Sequence, residues 1–109
     1  EIHHTEKIDK PSGTALTLAE DIIKGSDYKD WSFKNNTNKT IKMESLRENN
    51  VPGTHKVKYD SEIDSIEITH TAHSRKGFAL GAVVAAEWII DKKGVFNMTD
   101  MINDTNLKL

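Results

Sequence analysis

Glu1-Ile2-His3-His4-Thr5-Glu6-Lys7-Ile8-Asp9-Lys10-Pro11-Ser12-Gly13-Thr14-Ala15 opens the chain, and its reading decides the rest. Residues 1–4 have the character of a short strand end that delivers side chains to a loop. Residues 5–11 are polar and close on a proline, which disfavours helix just before it. A helix then starts at Ser12: Ala15, Leu16, Leu18, Ala19, Ile22 and Ile23 recur at spacings of three and four, Lys24 suits the last turn and Gly25 ends it. The opening is therefore a strand, a polar loop and a helix start.

Outward from that stretch, residues 26–39 read as mainly loop, with an Asn-rich end at the surface. Residues 40–46, 55–59 and 65–70 each alternate apolar and polar side chains, the pattern of strands half-buried on one face. Pro52-Gly53 turns the chain between the first two, and residues 60–64 join the second to the third. Residues 77–90 are apolar almost all round, which predicts a buried central helix. Residues 95–102 read as a short extended piece followed by a helical turn, and polar residues close the chain. No internal repeat is present. The expected class is α+β: a mainly antiparallel or mixed four-stranded sheet, two main helices on one face, and a sheet face available for oligomerisation.

Bulk properties narrow the function classes. The 109 residues suit one domain with a single core, residues 1–109. Hydrophobic residues at 36% and charged residues at 29% describe a globular chain, and aromatics at 6% predict a core of Ile, Leu, Val and Ala. The longest apolar run, 78–90, is interrupted by Gly81 and Glu87 and is too short to span a bilayer. A net charge of −2 with mixed signs offers no stripe for nucleic acid and no polybasic membrane patch. Cysteine is absent, so disulfides and thiolate metal sites are excluded. With no secretory signal in view, the expectation is a cytoplasmic protein, and the Asn-x-Ser/Thr matches at Asn35, Asn38, Asn97 and Asn103 read as chance. Glu1 runs straight into the densest motif without an initiator Met, which predicts a piece of a longer chain.

The chemistry concentrates at the opening. Ser12-Gly13-Thr14 lies where loop becomes helix, so unpaired N–H groups and the positive end of the helix dipole point the same way. Gly13 lets an anion approach the backbone closely, which suits a carboxylate or phosphate. Ser12 or Thr14 acting simply as a helix cap is the plain alternative. Lys7 brings a mobile positive charge, and histidine a proton donor that works near neutral pH. His3 and His4, adjacent on extended chain, point opposite ways and so cannot do the same job: one can face a reacting centre while the other binds substrate or packs locally, and the plain alternative for either is a hydrogen-bonded structural histidine. Metal is not expected, since consecutive histidines on a strand make poor joint ligands and no metal-ligand spacing is present. Ser12 lacks the Gly-x-Ser-x-Gly setting of a hydrolase nucleophile.

This opening resembles the signature of the 4-hydroxy-tetrahydrodipicolinate reductase (dihydrodipicolinate reductase) family, matched at Glu1, His3, His4, Lys7, Asp9, Pro11, Ser12, Gly13, Thr14 and Ala15. Lys10 stands where the family usually carries alanine and adds a positive charge beside the anion site. The resemblance continues through Arg47 with Val51-Pro52-Gly53-Thr54-His55, through Ile68-Thr69-His70 to Ser74-Arg75, through Phe78-Ala79 with Gly81-Ala82, and through Gly94-Val95-Phe96 with Met98 and Asp100. It implies the C-terminal, substrate-binding and oligomerisation domain of an NAD(P)H-dependent reductase of diaminopimelate and lysine biosynthesis. NADH or NADPH would be held by an N-terminal Rossmann domain; no Gly-x-Gly-x-x-Gly stands in these residues. It further implies His3 as general acid/base, Lys7 as the second catalytic donor, His4 as a substrate contact, and Ser12, Gly13 and Thr14 as the grip on one carboxylate. Arg75 is a further candidate, with a surface or interface salt bridge as its alternative. The implied partners are a small dicarboxylate, the Rossmann domain and, in a homotetramer, three further copies; the isolated domain is expected to be inactive. The rival readings are a non-catalytic oligomerisation module and the C-terminal domain of another Rossmann-linked dehydrogenase.

Overall fold

In the computed structural model, residues 1–34 and 37–105 are described, so the Asn35 match and the last polar residues lie outside the described residues. The chain divides into two compact units, Glu1–His73 and Ser74–Leu109.

The first unit is organised by a four-stranded mixed sheet. Strand β1 (Ile2–His3) lies parallel to β4 (Leu46–Arg47), with His3 opposite Arg47, and antiparallel to β5 (Gly53–Asp60), with Ile2 opposite Thr54. β5 pairs with β6 (Ser65–Ala72) along its full length, giving the order β4-β1-β5-β6. The register places Val57 opposite Ile68 and Tyr59 opposite Ile66, so the apolar members of both alternating patterns share one face. On the other face Lys56 pairs with Glu67 at 2.9 Å. In the connection, Ser61 Oγ accepts from the amides of Ile63 and Asp64 at 3.1 Å each. The class and the four-stranded sheet are as read from the sequence.

Helix α1 (Gly13–Lys24) follows its expected span. Ser12 caps it from an extended backbone, its Oγ accepting from the amide of Ala15 at 3.2 Å, and the Gly25 amide closes it on Asp21 O at 3.1 Å. Ala15 and Ala19, four apart on one face, are buried together with Met43, and Trp31 and Ile41 pack against them. Those partners come from β2 (Asp30–Ser32) and β3 (Thr40–Lys42), a parallel pair in a second small sheet, and from Met43 just beyond it. The structure thus corrects two readings. The segment 26–39 contains β2, because Trp31 has an apolar partner in Ile41 that local composition does not disclose. The expected strand 40–46 is interrupted after Lys42, and pairing resumes as β4 with a different neighbour. The alternation itself survives the interruption: Met43 and Ser45 are buried while Lys42, Glu44 and Leu46 are exposed.

The second unit contains α2 (Lys76–Trp88) and α3 (Met98–Asp104). Asn97 and Asp100 cap α3 reciprocally, each side chain bonding the other's amide. Trp88 donates from Nε1 to Asp104 at 2.7 Å, and Lys92 pairs with the same carboxylate at 2.8 Å while standing 4.7 Å from the centre of the Trp88 rings. Phe96 meets Trp88 edge-to-face, and Met101 is buried. The expectation of a buried central helix is corrected: α2 has no buried residue in the single chain, and Phe78, Leu80, Val83 and Ile90 are exposed. Apolar composition reports that a surface is suited to cover without specifying which chain supplies it.

Candidate active site

Strand β1 carries His3 into the first unit, where it is buried, and the ring's Nδ1 bonds the Glu1 carboxylate. That carboxylate, 2% exposed, also accepts from Ser45 Oγ and from Arg47 Nη1, the latter at 2.9 Å. Burial alone raises the Glu1 pKa, but hydrogen bonds from Ser45, Arg47 and His3, reinforced by the Arg47 charge, outweigh it and hold the group down at about 2. Arg47 is itself a hub. Its Nη1 also donates to Leu46 O at 2.7 Å, its Nε to Lys7 O at 3.2 Å and its Nη2 to Asp9 O at 2.5 Å. One guanidinium thereby ties the carboxylate behind His3 to the loop that carries Lys7.

His55, on β5, meets the His3 ring edge-on, with centroids 4.9 Å apart and planes at 69°. Its Nε2 lies 3.1 Å from Ser12 Oγ, the hydroxyl that caps α1. Burial, followed by the like charge of His3, lowers the His55 pKa, which favours the neutral form of that imidazole. Gly53 completes the group: a Cβ there would stand 3.2 Å from His3 Nε2. Side chains separated by more than forty residues are thus assembled around one imidazole.

The remaining sequence candidates fall as follows. Ser12 is 2% exposed with its hydroxyl engaged, so it serves as a cap and a contact for His55. Gly13 and Thr14 are exposed at the helix start; a Cβ on Gly13 would meet nothing within 4 Å. Their amides have no acceptor within the helix and are the donors available to an anion. Lys7 is partly buried and its ammonium pairs with Asp9 at 3.0 Å, a hydrogen bond that lowers the Asp9 pKa. His4 is partly buried just after β1, and its carbonyl accepts from the Lys7 amide at 3.2 Å. Arg75 precedes α2 in the second unit.

Donor atoms of Glu1, His3 and His55 lie within 4.8 Å of one another, a spacing compatible with a metal ion. The carboxylate oxygens are already engaged by His3, Ser45 and Arg47, and a guanidinium in that position opposes a second cation. The cluster reads as a hydrogen-bonded frame around His3.

Sequence reasoning left Glu1, Ser45 and His55 without a role, and noted Arg47 only as part of a matching pattern. The one available signal was a single Arg preceding Pro52-Gly53-Thr54-His55; the pairings themselves depend on β1 lying between β4 and β5.

A family model described as "Dihydrodipicolinate reductase, C-terminus" matches residues 1–102. The 4-hydroxy-tetrahydrodipicolinate reductase of Christiangramia forsetii is 56% identical over 105 residues, covering 95% of this chain and 44% of that protein. The proteins of the same name from Buchnera aphidicola subsp. Schizaphis graminum and Thermosipho africanus are 42% and 43% identical, each match covering 95% of this chain and 42% of the relative. The chain therefore spans less than half the length of these relatives. With the resemblance carried by the opening motif extended to nearly every residue, the chain belongs to the dihydrodipicolinate reductase C-terminal family.

Proposed function

We propose that this chain is the substrate-binding and catalytic domain of an NAD(P)H-dependent 4-hydroxy-tetrahydrodipicolinate reductase of diaminopimelate and lysine biosynthesis. The observation that carries the reading is the junction of a buried imidazole, His3, with the start of α1 through His55 and Ser12. One carboxylate of a small dicarboxylate is held by the Gly13 and Thr14 amides beside the Ser12 hydroxyl, and His4 lines the bound substrate. Lys7 exchanges its Asp9 partner for the substrate and stabilises negative charge there. NADH or NADPH, which a Rossmann domain outside these residues would hold, would supply the hydride that reduces a conjugated imine. His3 and Lys7 are the catalytic residues, with His3 returning a proton to the electron-rich intermediate.

The exposed apolar face made by Tyr59, Ile66 and Ile68, together with the uncovered α2, supports assembly into a homotetramer. No helix among the described residues is long and apolar enough to cross a membrane, and the proposed location is the cytoplasm. Titration calorimetry of the chain with pyridine-2,6-dicarboxylate tests the reading. Weak binding that disappears in Lys7→Ala and weakens in Ser12→Ala is expected, without NADPH turnover by the chain alone. Heat independent of Lys7, or no heat at all, would leave only a non-catalytic oligomerisation module.

A further inference from the structure

We propose that Glu1, clamped by Arg47, is a positioning residue that fixes neutral His3 as the Nδ1–H tautomer and so makes Nε2 the atom that exchanges the catalytic proton. The tautomer follows from the geometry whatever the substrate; the catalytic consequence rests on the function proposed above.

A neutral imidazole carries one N–H, and its position is set by the partner of the other nitrogen. Glu1 Oε2 is within bonding reach of His3 Nδ1. An ionised carboxylate only accepts, so Nδ1 must donate. Arg47 and Ser45 both donate to Oε1, and their combined hold keeps the group ionised throughout the neutral range. Arg47 is restrained in turn by the carbonyls of Leu46, Lys7 and Asp9, so the carboxylate cannot follow the imidazole if the ring rotates. The opposite nitrogen, Nε2, faces the one position in β5 that has no side chain, since a Cβ on Gly53 would stand 3.2 Å from it. A side chain at that position would crowd the atom, and glycine does not.

In the proton transfer the Nε2–H bond of the imidazolium breaks, its electron pair stays on the ring, and the proton bonds to the electron-rich product of hydride addition. The ring returns to the neutral Nδ1–H form that Glu1 favours. Without the carboxylate, both tautomers become accessible and a share of the molecules present the wrong nitrogen; in a serine protease triad the comparable loss of the orienting carboxylate costs on the order of 10⁴-fold in kcat.

Long-range 1H–15N correlation on the imidazoles of the 109-residue chain, recorded at alkaline pH, tests this. Wild-type His3 should show Nδ1 protonated and Nε2 as the bare nitrogen, and Glu1→Gln should bring the two nitrogens towards a mixed, averaged position. Arg47→Lys, which keeps the carboxylate but loses the fork, should shift them in the same direction by less. A wild-type His3 protonated on Nε2 would overturn the proposal, and that measurement needs no variant. So would a Glu1→Gln chain with intact β5–β6 amide dispersion and an unchanged His3 pattern. Pyridine-2,6-dicarboxylate binding by the wild-type chain, run alongside, separates the two claims: its absence counts against the substrate reading and leaves the tautomer result standing.

Discussion

Replacing Arg47 with Met should destabilise the first unit through one identifiable group, the Glu1 carboxylate. In the wild type that carboxylate is almost fully covered and its pKa is lowered from 4.5 to about 2. At 1.36 kcal/mol per unit, the lowering corresponds to about 3 kcal/mol of stability at neutral pH. Breaking a buried ion pair by removing one partner costs a similar amount, roughly 3–5 kcal/mol. Arg47→Met should therefore lose about 3 kcal/mol in urea unfolding at pH 7. The pH dependence identifies the cause. A carboxylate with a depressed folded pKa stabilises the protein above its unfolded pKa, and the contribution is lost as pH falls towards the folded value. By pH 3 the wild type has given up about 2 kcal/mol from this group, whereas in the variant, which keeps the Ser45 and His3 hydrogen bonds but loses the Arg47 hydrogen bond and charge, the Glu1 pKa lies higher and less remains to lose. The gap between the two proteins should narrow between pH 7 and pH 3 by the Arg47 share of that loss, at most about 2 kcal/mol. A gap of equal size at both pH values, or a loss below about 1 kcal/mol at pH 7, would refute the assignment of Glu1 and Arg47 as a stabilising pair.

Other substitutions probe separate parts of the account. Gly53→Ala places a Cβ 3.2 Å from His3 Nε2, so the ring must give way; urea melts should show a loss of about 1–2 kcal/mol, with the His3 imidazole resonances displaced. Ser12→Ala removes the α1 cap and the His55 contact, costing about 1 kcal/mol in unfolding and weakening pyridine-2,6-dicarboxylate binding. Ala19→Leu overfills the contact of α1 with Trp31 and Ile41 and should cost about 1–3 kcal/mol by the same melts. Asp104→Ala removes the shared acceptor of Trp88 and Lys92, and hydrogen exchange should quicken across residues 98–105.

What was legible in the sequence was local. The extent of α1 followed from its apolar spacing together with Ser12 and Gly25, and the β5–β6 pair from two alternating runs flanking a short turn. The start of α1 at Ser12 was legible because a helix cap has a fixed chemistry that a few residues announce. β2 was missed because its partner lies ten residues away across an Asn-rich segment, and strand pairing of that kind leaves no periodic trace. The frame behind His3 was illegible for a related reason. Glu1 meets Ser45 and Arg47 only because β1 aligns in parallel with β4, so the residues that orient the imidazole are distant in sequence and ordinary in composition. The exposed α2 shows the limit from the other direction: composition marked it for burial, and none of its residues is buried among the described residues.

The central claim is that a carboxylate is gripped at the start of α1 with Lys7 beside it. Amide NMR of the uniformly labelled chain, titrated with pyridine-2,6-dicarboxylate, addresses it most directly. The account predicts that the Gly13 and Thr14 amide protons move the most, in the direction of stronger hydrogen bonding, and that Lys7→Ala abolishes the response. Saturable binding that leaves these two amides unmoved, with its largest shifts elsewhere in the chain, would contradict it.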